Sequence, residues 1–151
     1  MIRRVLARRR PAFAGLLVIG LVALAFGVAQ ALAGTGTATV PIEKNNDTCG
    51  VYIGTSAFGS ITFTRDDKTT LREHVRLTKA TPSKTYYFFL FSGSGVCNYL
   101  TTLGTVKTDS SGAGEATFTS STYGHQTFWI FTWDGSGLDV FGESPPVKVD
   151  G

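Results

Sequence analysis

Two histidines, two cysteines and a single methionine are the chain's whole stock for metal or thiol chemistry. His74 lies between Arg72 and Arg76, whose positive charge disfavours a bound cation. His125 falls in the Tyr123-Gly124-His125 loop, and no third ligand stands at metal spacing from either histidine. A serine nucleophile needs a base and a sharply turned backbone. Ser94 and Ser136 are flanked directly by glycines, and no Gly-x-Ser-x-Gly occurs. The run Asp134-Gly135-Ser136-Gly137-Leu138-Asp139, with Glu143 close by, has oxygens for Ca²⁺. Leu138 stands where an EF-hand needs a polar residue, so the run reads as a glycine-rich turn. No set of acid, base and nucleophile assembles from these spacings. The expectation is a protein that is not an enzyme and holds no metal or cofactor.

Cys49 and Cys97 both fall in turn-rich stretches, 48 residues apart. That separation is not a redox or zinc spacing. In an exported chain an even pair reads as one disulfide. Closing such a loop contributes about 4 kcal/mol in the chain-entropy model. Asn46-Asp47-Thr48 matches a glycosylation sequon, a three-residue pattern common by chance.

Export itself is read from the N-terminus. Of the fourteen basic residues, Arg3, Arg4, Arg8, Arg9 and Arg10 lie in the first ten positions. An uncharged stretch from Pro11 to Val28 follows, then Ala31-Leu32-Ala33. This is the layout of a secretory signal helix, expected to be cleaved after Ala33. The Arg- and Ala-rich signal has the composition of a high-GC Gram-positive bacterial one. Membrane contact is expected only through this segment before cleavage. Residues 34–151 would then form the mature domain, extracellular and carrying nine basic against eleven acidic residues, net −2. Nucleic-acid binding, which needs clustered positive charge, is excluded on that balance.

The mature region must supply the elements that position any site. It alternates rather than repeating at helical spacing. Ile61 and Phe63 share one face of 60–64. Leu71, Val75 and Leu77 oppose Arg72, His74 and Arg76 on 70–78, with Arg65-Asp66-Asp67-Lys68 as the hairpin turn. Glu73 interrupts the inward set and is expected near a strand end, within reach of water. Further strands are expected at 37–42, 51–53, 85–91, 103–107, 115–119, 127–133, 140–141 and 147–149, with Pro145 and Pro146 marking a sheet edge. The short strands and regular turn signals predict a single all-β antiparallel β-sandwich.

The stretches Val75–Tyr86 and Val106–Phe118 resemble the strand–turn–strand grammar of secreted bacterial immunoglobulin-like β-sandwich domains. The chain also resembles, distantly, the neocarzinostatin-type apoproteins in size and export. The resemblance implies a two-sheet immunoglobulin-like fold.

One feature of composition points to a partner. Tyr87, Phe89 and Phe91 alternate with Tyr86, Phe88 and Leu90, and Trp129, Phe131 and Trp133 alternate with Phe128 and Ile130. Both strands are therefore apolar on both faces. If they are neighbours, Tyr87, Phe89, Phe91, Trp129, Phe131 and Trp133 would form an aromatic binding patch on the outer face, suited to a protein or glycan surface. The function expected is a binding or surface-interaction module. The alternative is a carrier of a small hydrophobic ligand, with a pocket between the sheets lined by Phe and Trp.

Overall fold

The computed structural model describes residues 36–45, 56–93, 98–135 and 141–150. Among them are nine strands and no helix: β1 (Thr37–Asn45), β2 (Ala57–Arg65), β3 (Thr70–Leu77), β4 (Thr85–Ser92), β5 (Asn98–Lys107), β6 (Gly114–Ser121), β7 (Thr127–Trp133), β8 (Phe141–Glu143) and β9 (Val147–Lys148). The expected signal helix and the strand at 51–53 lie outside the described residues, as do Cys49, Cys97 and the sequon. The disulfide expected between Cys49 and Cys97 therefore lies outside the described residues too.

The sandwich itself is corrected. One antiparallel sheet runs in the order β5-β4-β7-β8-β1-β2-β3-β6, with β9 pairing β7. The two end strands, β5 and β6, pack against each other without a ladder, so the sheet curls into a nearly closed barrel. Separate sheets would need a break in this path. Instead β8 bridges β7 and β1: Phe131 pairs Glu143, which pairs Glu43, and Thr132 pairs Gly142, which pairs Lys44. This single sheet does not support the immunoglobulin-like and neocarzinostatin-type resemblance.

Strand alternation fills the barrel. On β3, Leu71, Val75 and Leu77 point inward while Arg72, His74 and Arg76 are exposed, the period of two expected of a half-buried strand. Phe63 and Phe128 stack across the interior at 6.3 Å, and Phe88 meets Phe118 at 6.2 Å. Phe63, Phe88 and Phe128 are fully buried. Each contributes about 1.5–3 kcal/mol through removal of its ring from water. Glu73 is corrected too: it sits mid-strand on the inner face, fully buried, in register with Phe63 and Phe118. Its Oε1 accepts a short hydrogen bond from the Ser120 hydroxyl.

Pro145 and Pro146 separate β8, which lies between β7 and β1, from β9, which among the described residues pairs β7 alone, so the expected edge applies only on the β9 side. Prolines cannot donate to a ladder. Ser144 repairs the gap: its N–H donates to the Ile130 carbonyl and its hydroxyl accepts the Ile130 N–H, both at 3.1 Å.

Two turns share one chemistry. Asp67 Oδ1 accepts the N–H of Thr69 and Thr70 and the Thr69 hydroxyl in the β2–β3 turn. Asp109 Oδ1 accepts the N–H of Ser111 and Ala113 and the Ser111 hydroxyl in the β5–β6 turn. These bonds favour the ionised carboxylates. The Thr69 N–H leads in pulling Asp67 down to about 2, and the Ser111 hydroxyl leads in lowering Asp109. Gly112, at φ +83°, completes the second turn; any side chain there would collide with the Ala80 carbonyl.

Candidate functional site

All six aromatic residues of the expected patch share the outer face of β4 and β7. They pair directly across the two strands: Tyr87 with Trp133, Phe89 with Phe131, Phe91 with Trp129. The ring centroids lie 5.9, 5.9 and 4.4 Å apart, and Tyr99 meets Phe91 edge-on at 5.7 Å. The rings thus spend their faces on each other, as cross-strand aromatic pairs do. Trp129 is only 3% exposed, and of the six only Tyr87 reaches 40%. The face is thus half-buried rather than open, and the surface-interaction module gives way to the carrier alternative. The ladder stiffens the β4–β7 pair.

The expected interior pocket is corrected as well. Phe63, Phe88, Phe128 and Ile130 occupy the space inside the barrel, and neither tryptophan belongs to that core. A partly enclosed space lies instead at one end of the barrel, where β1 and β3 finish and β2 and β4 begin. There a pocket of about 150 Å³ is lined by Lys44, Phe58, Lys79, Ala80, Thr81, Pro82 and Tyr86.

The pocket's walls are fixed by the fold beneath them. The Phe58 and Tyr86 rings lean together, 6.0 Å between centroids at 32°. Phe58 packs over Gly142 of β8, where a Cβ would strike its ring. The β3–β4 loop is tied along its length. The N–H groups of Thr78 and Lys79 both donate to the Phe58 carbonyl, and Ala80 N–H donates to Gly112. The Thr81 N–H donates to the Tyr86 hydroxyl at 2.9 Å. Buried Thr108 closes the loop from below, its hydroxyl donating to the Thr81 carbonyl at 2.7 Å and accepting Lys84 N–H at 2.9 Å. The loop backbone therefore has few degrees of freedom left to lose when a ligand arrives.

The other residues singled out for chemistry stay apart from this pocket. His74 is exposed on β3, its Nε2 3.9 Å from Glu115. His125 holds its loop through its backbone, donating to Thr122 and accepting from Arg65. Arg72 pairs with Asp66 at 2.6 Å. Asp139 lies outside the described residues. Among the described residues no three His, Cys, Asp or Glu side chains gather closely enough to hold a metal ion.

The residues that do form the pocket carried no marker in the sequence. Lys79 and Ala80 stand only within the strand-and-turn pattern of Val75–Tyr86, Tyr86 there and in the aromatic alternation, and Phe58 not at all. Compared with known proteins, the chain matches no family model and no curated sequence.

Proposed function

We propose that the protein is a non-enzymatic carrier of a small apolar ligand, held at the end of the barrel rather than in its interior. One observation carries this reading: the pocket of about 150 Å³ lined by Phe58, Tyr86 and the 79–82 loop. A space of that order admits one aromatic ring. The two tilted rings present faces for offset stacking, and Ala80 and Pro82 add apolar wall. Because the loop is already tied down, little ordering cost opposes binding. The proposal includes export through the basic, apolar and Ala-x-Ala segments of residues 1–33, and action outside the cell by residues 34–151. It includes no cofactor and no nucleic-acid partner.

Calorimetric titration of the full chain with phenol and toluene tests the reading. Saturable heat is expected for the natural chain and its loss in Ala80→Leu, whose larger side chain fills the pocket. Absence of saturable heat, or equal heat in Ala80→Leu, would contradict it.

A further inference from the structure

Resting on the carrier reading, we propose that the ligand is an anion: a single-ring or short branched apolar carboxylate. Its apolar body would lie against Phe58 and Tyr86, its carboxylate among Lys79, Thr81 and the Tyr86 hydroxyl.

The polar lining is one-sided. Lys44 and Lys79 bring two positive charges, and among the described residues no acidic side chain lines the pocket. Two of the backbone acceptors nearby are already engaged: the Phe58 carbonyl takes two N–H groups, and the Thr81 carbonyl takes the Thr108 hydroxyl. The donors are not all engaged. The Lys79 ammonium makes no ion pair among the described residues, and the Thr81 hydroxyl has no partner there. Tyr86 is 3% exposed, and its hydroxyl accepts the Thr81 N–H. Its own O–H proton meets no acceptor among the described residues. A buried phenol with a proton left to donate is an incomplete hydrogen-bonding arrangement. A carboxylate supplies the missing acceptor and forms charge-assisted bonds, which are roughly twice as strong as neutral ones. A neutral ring leaves these donors unmatched, and an amine adds like charge beside two lysines. The negative mature surface gives no competing field, since the two lysines act at contact range.

Three ligands of one shape separate the possibilities: benzoate, benzyl alcohol and benzylamine, each titrated into the full chain and followed through amide shifts of Ala80, Thr81 and Tyr86. Benzoate is expected to bind at least tenfold more tightly than benzyl alcohol, with benzylamine weakest. Raising salt from 20 to 500 mM, both chosen values on the order of the extremes of Debye screening, should weaken benzoate alone. Lys79→Gln, a change at an exposed position, should bring benzoate down to the level of benzyl alcohol, and Tyr86→Phe should cost it several-fold. If benzyl alcohol binds at these amides as tightly as benzoate, or Lys79→Gln leaves benzoate untouched, the anion inference falls while the carrier reading stands. If none of the three shifts these amides, both fall.

Discussion

Ser144 and Ile130 exchange two hydrogen bonds of 3.1 Å, one through the Ser144 N–H and one through its hydroxyl. A side chain thereby stands in for the backbone donors and acceptors that Pro145 and Pro146 take out of the ladder. Both residues are buried, so water has no access to rescue a lost bond. Ser144→Ala strands the Ile130 N–H, and an unsatisfied buried donor costs about 1–3 kcal/mol. Urea unfolding should show that loss, and hydrogen exchange at Ile130 should speed up while amides in the β2–β3 hairpin keep their protection.

Glu73 sets the pH dependence of stability. It lies fully buried inside the barrel, Oε2 has no hydrogen-bond partner, and desolvation pushes its pKa from 4.5 to about 7, against the opposing pull of Ser120. Between these values the folded chain keeps a proton that the unfolded chain releases. Stability from this group is complete below pH 4.5, falls as pH rises, and is lost above about 7. The total is roughly 3 kcal/mol at 1.36 kcal/mol per pKa unit. Asp67 works in the opposite sense at low pH, because its carboxylate is favoured in the fold and protonates only near 2. Denaturation midpoints measured from pH 3 to 9 should peak near 4–5. Glu73→Gln should remove the decline toward pH 8 and exceed the natural chain in stability there.

Gly142 connects the sheet to the pocket. A methyl group at this position strikes the Phe58 ring and comes within 2.7 Å of the Thr132 side chain. Gly142→Ala should destabilise the fold by about 1–3 kcal/mol, as overpacked cores do. It should also displace Phe58, so ligand affinity falls together with stability. A melting curve and a phenol titration on the same sample check both outcomes.

Arg65 closes the opposite end of the barrel. Its guanidinium donates to the carbonyls of Val149 at 3.2 Å, Lys68 at 3.3 Å and His125 at 2.5 Å, and lies 5.8 Å from the centre of the Phe128 ring. Three chain segments that are distant in sequence meet there. Arg65→Ala should cost about 2 kcal/mol, since bonds to a charged donor are each worth more than neutral ones. Lysine should restore little of it, because a point charge cannot reach three separated carbonyls at once. Because this end is remote from Phe58, ligand affinity per folded molecule should not change.

Much of the local structure is legible in the residues. The alternation of Leu71, Val75 and Leu77 with Arg72, His74 and Arg76 fixes a half-buried strand, and Asp67 and Asp109 announce their turns through short-range hydrogen bonds. The shared apolarity of β4 and β7 raises their pairing as a condition, which the register of Tyr87 with Trp133 and Phe91 with Trp129 meets. The partner of β8 does not follow: three residues, Phe141–Glu143, are too few to show a period. Their place between β7 and β1 depends on contacts with Phe131 and Glu43, far away in sequence. That one insertion converts two expected sheets into a single curled one. Glu73 misled for a related reason, since a carboxylate on an inward position is ordinarily assigned to a wet strand end, and only the fold shows Ser120 beside it. The pocket escaped notice because Lys44, Phe58, Lys79–Pro82 and Tyr86 come from four separate stretches, each ordinary by itself.

The carrier account is tested most directly by intermolecular NOEs from phenol bound to the full chain. The account predicts contacts from the ligand's ring protons to the Ala80 methyl and to the Phe58 and Tyr86 rings. Contacts to Tyr87, Trp129 or Trp133 of the outer ladder instead, or none at saturating ligand, would contradict it.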